Sequence, residues 1–438
     1  MRTHTLRLDL IARITIRSVP ALLLGITLIA GAALLPPGSA SAADKPTVSA
    51  KLAKPLHEVQ EDLKAKKFQD AITKLKAADA TAGKTPYDQH VINDFLGFAY
   101  INTQNYAEAA KALEAELDDG FTPENDKAQK IRQLTEIHYQ LKNYDKAIEF
   151  GNRAIKGGFG DERIRTMVGQ AYYLKGDWKG TLKFEEPIVD AQIKAGETPK
   201  KDNLLLIYSA CQKMNDEACS TRAMEKMVAY YPNADYWSQL LYGLRSQTSN
   251  NDADLLQTYR LMLDVDILKT PGDYNEMAQL ALEAGSPGEA QNVLEKGFQK
   301  NVFSDKLTRD RNQRLLDNAK KAAASDQAGL PKLQQEADAS ASGAKNVGVG
   351  FAYLGYGQYD KSAEQLAKGL AKGGVKDEAQ ARMLLGIAQL KSGHKEDAVK
   401  SFHAVKGDPN LERLANLWTL HARQVDTHQE VARDHQGR

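Results

Sequence analysis

The chain has 438 residues, 42% hydrophobic and 26% charged, which is ordinary for a soluble protein and long enough for two or three globular domains or one repeat array. Arg2, Arg7, Arg13 and Arg17 precede an apolar run over 19–35, followed by Pro36-Pro37-Gly38 and Ala40-Ser41-Ala42-Ala43, so residues 1–43 read as a secretory signal peptide cut after Ala42 or Ala43. Without them 54 basic side chains face 56 acidic ones, a net charge of −2 that offers no electrostatic basis for binding nucleic acid or an acidic membrane surface.

The alternative for the first segment is an uncleaved membrane anchor, the only reading under which the protein associates with a membrane. Both readings put the rest of the chain outside the cytoplasm, and the cleaved form is expected to be periplasmic. No later run of 18 apolar residues exists.

From residue 44 onward apolar residues recur at helical spacing in pairs of short segments. The first pair places Val59 and Leu63 before Phe68, Ala71, Leu75 and Ala78. The clearest pair spans 89–122, with Leu96, Gly97 and Tyr100, a polar turn over Asn102–Asn105, then Tyr106, Ala109 and Leu113. Gly97 and Ala109 are small where two antiparallel helices would press closest. Further pairs follow at Ile131/Leu134 with Tyr144/Ala147, at Val168/Gly169 with Trp178/Phe184, and at Leu204/Tyr208 with Met224/Met227. Pro187 is expected to kink the second helix of the fourth pair. The sixth pair, Trp237/Leu241 with Leu255/Tyr259, carries an enlarged turn over Ser246–Asp252, and the seventh is Tyr274/Ala278 with Pro287/Ala290. Two more begin at Val349-Gly350 and Leu385-Gly386.

Equivalent positions of successive pairs, counted from the place of Gly97 (59, 97, 135, 169, 208, 241, 278, 350, 386), are separated by 38, 38, 34, 39, 33, 37, 72 and 36 residues. The gap of 72 is twice 36, so 306–341 is expected to hold a degenerate hairpin, with a looser helical linker as the alternative. Gly120-Phe121, Gly158-Phe159, Gly297-Phe298 and Gly374-Val375 read as helix stops in which glycine turns left-handed. Residues 44–305 thus form about seven hairpins, 342–410 two more, 411–425 an amphipathic capping helix and 426–438 a disordered tail.

The pattern Leu96-Gly97-x-x-Tyr100 with Ala109 resembles the tetratricopeptide repeat, a 34-residue helix-turn-helix unit. The resemblance implies an all-α, right-handed superhelical solenoid of antiparallel helix pairs that binds peptides or protein tails in a groove lined by each first helix. Carried onto this chain, the groove positions are Asp94, Phe98 and Ile101; Arg132, Glu136 and Tyr139; Arg163, Gln170 and Tyr173; Tyr242 and Arg245; Asn275 and Gln279. Aromatic and arginine side chains are those that dominate binding hot spots. The overall layout is also similar to envelope repeat proteins associated with the TonB energy-transduction system.

Little in the sequence points to catalysis or cofactors. Nine histidines are scattered; His421, His428 and His435 recur every seven residues, about 10.5 Å of helical rise, too far for neighbours to share a metal. The glycines of 348–355 lack the preceding strand of a phosphate loop, and Gly350 is accounted for as a repeat residue. Cys211 and Cys219 lie on either side of one predicted turn, and two readings stand: a disulfide, or two small buried thiols. The expectation is a non-enzymatic exported scaffold without a cofactor, binding a segment of another envelope protein, with a structural part in an envelope assembly as the first alternative and a cryptic hydrolase as the second.

Overall fold

The computed structural model describes residues 46–248 and 250–436, with side chains described through Gln424. The proposed signal segment 1–43 lies outside the described residues. Twenty helices and no strand occur among them, in two compact units divided between Ile188 and Val189.

Unit 1 contains Ala50–Lys64 (α1), Phe68–Asp79 (α2), Pro86–Asn102 (α3), Tyr106–Asp118 (α4), Glu124–Gln140 (α5), Tyr144–Lys156 (α6), Glu162–Lys175 (α7) and the first part of Trp178–Lys194 (α8). Local chemistry sets the helix ends. Thr85 accepts the N–H of Asp88 at 3.0 Å while Asp88 accepts the N–H of Thr85 at 2.9 Å, a capping box completed by Pro86 as the first helical residue. Each first helix turns into its second through one left-handed residue: Lys66, Gln104, Lys142 and Gly176.

The small residue of the repeat does what its size suggests. A Cβ on Gly97 would stand 2.7 Å from Cδ2 of Leu113 on α4, so the bare glycine leaves room for Leu113 to pack directly on α3. The same holds in unit 2 for Gly350 against Leu366, at 2.6 Å, and Gly386 against Phe402, at 2.5 Å. A continuous apolar core runs from Leu52 through Leu75, Ile92, Leu113 and Leu134 to Val168.

Unit 2 holds the remainder of α8 and Lys201–Lys213 (α9), Glu217–Tyr230 (α10), Ala234–Thr248 (α11), Asp252–Asp264 (α12), Pro271–Glu283 (α13), Pro287–Gln299 (α14), Lys306–Ala339 (α15), Ala344–Gly355 (α16), Tyr359–Lys372 (α17), Glu378–Lys391 (α18), Lys395–His403 (α19) and Pro409–Gln436 (α20). It closes around α12, whose residues 254–262 are all buried. Helices α18 and α20 return to this part of the unit. Gln257 donates to Gln380 at 2.7 Å, Asn410 to Asp254 at 3.3 Å, and Arg413 pairs with Glu225 at 2.7 Å. Asp264 receives both Lys391 and His421. Arg260 forms a bidentate pair with Glu289, at 2.7 and 2.6 Å, and so keeps a buried cation matched.

Two expectations are corrected. Residues 306–341 do not form the expected degenerate hairpin: α15 is a single helix of 34 residues that runs through Gly329 and Pro331, helical as the alternative had it but packed where that was loose. Its first half buries Leu316 and Ala319, and its second half packs Leu330 and Ala337 on Val349 and Tyr353 of α16, so tertiary burial on both halves outweighs the local breakers. Second, Gly297 does not stop a helix. It lies inside α14, where a Cβ would meet Phe303 at 2.8 Å, and the left-handed residue is Asn301. Gly120, Gly158 and Gly374 do take positive φ. The backbone of α20 is described as helical to Gln436.

Candidate partner-binding wall

Once the eighth residue of a first helix is committed to its own second helix, the ninth and twelfth project elsewhere. In unit 1 they fall on a wall made by α3, α5 and α7. Phe98 and Ile101 are half-buried against the core, with Phe98 edge-to-face on Phe68 at 6.1 Å. Arg132 is half-buried on α5.

Most of the other predicted groove residues face a neighbouring first helix instead of open solvent. Asp94 on α3 accepts Lys130 of α5 at 2.8 Å. Glu136 of α5 pairs with Arg163 of α7 at 3.0 Å. Tyr139 of α5 donates to Oε1 of Gln170 on α7 at 2.7 Å. Tyr173 is buried edge-to-face on Trp178, with ring centres 5.1 Å apart. In unit 2, Tyr242 and Arg245 of α11 both reach Asp273 of α13, at 2.7 and 2.9 Å, and Asn275 of α13 donates to Asn312 of α15 at 2.8 Å. Gln279 is exposed. The sequence put these side chains on first helices, and there they are; it did not foresee that most of them clasp consecutive repeats.

Burial shapes the electrostatics. It pushes the Tyr139 phenol up to about 12 and raises Glu136, against the pull of Arg163. Tyr242 is raised by burial and by its hydrogen bond to Asp273. Glu116 of α4, which the sequence did not single out, is pushed up to about 8 by burial and then by Asp94, although Lys130 stands 2.6 Å away. Lys130 therefore joins α3, α4 and α5 through two carboxylates. The signal for such clasps was present as spacing, since Tyr139–Gln170, Tyr208–Gln239 and Tyr242–Asp273 are each 31 residues apart.

Among the described residues no group of three or more His, Cys, Asp or Glu side chains is placed to hold a metal, and no helix is long and apolar enough to cross a membrane. Cys211 in the last turn of α9 and Cys219 in the first turn of α10 are joined as a disulfide, with Cα atoms 5.5 Å apart.

Residues 96–162 and 352–411 match the family model described as tetratricopeptide repeat. The matched segments run from α3 to the first residue of α7 and from the end of α16 to the start of α20, and include the close-packed hairpins of Gly97 and Gly386. No curated protein matches the chain. Solved structures similar to it include the TPR2AB-domain:pHSP90 complex of yeast Sti1, at 14% identity and a TM-score of 0.23, covering 70% of this chain and 97% of that one. Another is Naa15/Naa10 bound to HypK-THB, at 12% identity and a TM-score of 0.24, covering 84% and 70%.

Proposed function

We propose that the protein is an exported repeat scaffold that holds a segment of another envelope protein on the first-helix wall of unit 1. The reading is carried by one observation: α3 and α5, clasped by Lys130 and Asp94, carry half-buried Phe98, Ile101 and Arg132, and the charges beside them are matched in pairs. A wall stiffened by its own clasps loses little entropy on binding, and half-buried aromatic, aliphatic and Arg side chains are suited to anchor a partner. The signal-like segment motivates export to the periplasm. A role beside TonB-type energy transduction is the finer form of the same proposal, resting on the layout of the chain.

Crosslinking and pull-down from envelope extract tests it, comparing wild type with Phe98→Ala and Arg132→Ala. Loss of one specific partner, from variants that remain folded at the assay temperature, is the expected result. Equal recovery from wild type and variants overturns the wall. Fractionation of cells tests export separately, and a cytoplasmic, full-length chain contradicts it.

A further inference from the structure

We propose that the turn edge of unit 1, beside the wall, docks an acidic amphipathic helix; this rests on the scaffold reading above and names the chemistry of its partner. Of the large apolar side chains exposed among the described residues, Leu141 (39%) and Leu174 (44%) sit at consecutive first-to-second helix turns. Those turns are neighbours, because Lys175 at the end of α7 pairs with Asp145 at the start of α6. Each leucine lies at a turn stiffened by an edge-to-face aromatic pair, Tyr139 on Tyr144 at 6.0 Å and Tyr173 on Trp178 at 5.1 Å. Apolar side chains held in water at fixed positions are what a partner covers.

Charge selects the partner. The acids of this edge are engaged: Asp145 by Lys175, and Asp177 by the N–H of Gly180, which it caps at 2.8 Å. Lys142 and Lys179 are exposed and form no ion pair among the described residues. The unmatched charge is positive, so the complementary surface is acidic. Packed helices stand about 8–10 Å apart. α5 and α7, whose ends carry the two leucines, are joined side by side by Glu136–Arg163 and Tyr139–Gln170, so the partner proposed is a helix whose apolar stripe, with leucines at i and i+7 about 10.5 Å apart, covers both.

The test is fluorescence anisotropy of the full chain with a labelled helical peptide of about 18 residues, built from Glu and Leu with Leu at i, i+3, i+4 and i+7. One control replaces Glu by Lys, and another replaces Leu by Ser. The expected result is salt-sensitive binding of the Glu/Leu peptide alone, weakened about tenfold by Leu141→Ser with Leu174→Ser and by Lys142→Glu. Unchanged unfolding midpoints show that the variants are folded. Binding of the Lys/Leu peptide equal to or better than that of the Glu/Leu peptide, no binding, or binding indifferent to the edge substitutions overturns the inference. If binding instead falls only with Arg132→Ala, the edge is wrong and the wall stands; if wall variants leave crosslinked partner recovery intact, the scaffold reading itself fails.

Discussion

Tyr139 on α5 donates its hydroxyl proton to Gln170 on α7 at 2.7 Å, 31 residues along the chain. Tyr208 reaches Gln239 at 3.1 Å and Tyr242 reaches Asp273 at 2.7 Å by the same step. A tyrosine read from sequence as a partner anchor is here a bond between repeats. Tyr139→Phe should cost about 1 kcal/mol, and Tyr242→Phe about 2 kcal/mol because its acceptor is a buried carboxylate. Urea unfolding checks both, and unchanged midpoints would show that the clasps add nothing.

Close packing at the eighth position gives the second prediction. Gly97→Leu drives a side chain into Leu113 on α4 and should destabilise unit 1 by about 1–3 kcal/mol. Glycine-to-leucine at Gly83, whose Cβ would meet nothing within 4 Å, tests backbone strain without the clash, since its φ is +76°. Thermal melts of the two variants separate overpacking from strain.

Lys142 holds φ at 58° in the turn between α5 and α6, a conformation that side chains with a Cβ adopt at a cost. Lys142→Gly should raise stability by about 0.5–1 kcal/mol, the relief of strain outweighing the added freedom of the unfolded chain. A fall in the denaturation midpoint would show that the lysine side chain stabilises the turn by more than the strain.

Much of the fold was legible because small residues at Gly97, Gly169, Gly350 and Gly386 and an aromatic at the head of most second helices repeat at nearly constant spacing. The long α15 was not, because Gly329 and Pro331 read locally as breaks while the burial that keeps the helix whole comes from α14 and α16. Nor was the centre of unit 2. The sequence of α12 displays an ordinary stripe with Leu255 and Tyr259 as core, and Asp254, Gln257 and Arg260 look solvent-facing. Their partners Asn410, Gln380 and Glu289 lie 29 to 156 residues away, beyond the reach of any local pattern. On the wall, position was legible and availability was not, since a tyrosine that clasps and one that waits for a partner have the same periodicity.

Glu185 on α8 is buried against Gly169 of α7, and burial followed by the charge of Glu162 raises its carboxyl to about 7 from an ordinary 4.5. Between those values the folded chain keeps a proton that the unfolded chain releases, so this group's contribution to stability is complete below pH 4.5 and is lost as pH rises through about 7. Glu185→Gln should therefore raise the melting temperature at pH 8 and change it little at pH 4. A variant that stabilises equally at both values contradicts the assignment.

The scaffold reading stands or falls on where a partner touches unit 1. A photo-crosslinking amino acid at Ile101, on the first-helix wall, is compared with one at the exposed Thr73 on second helix α2. The account predicts a discrete protein adduct from position 101 and none from 73 after irradiation in intact cells; adducts from 73 alone, or the same adducts from both, would contradict it.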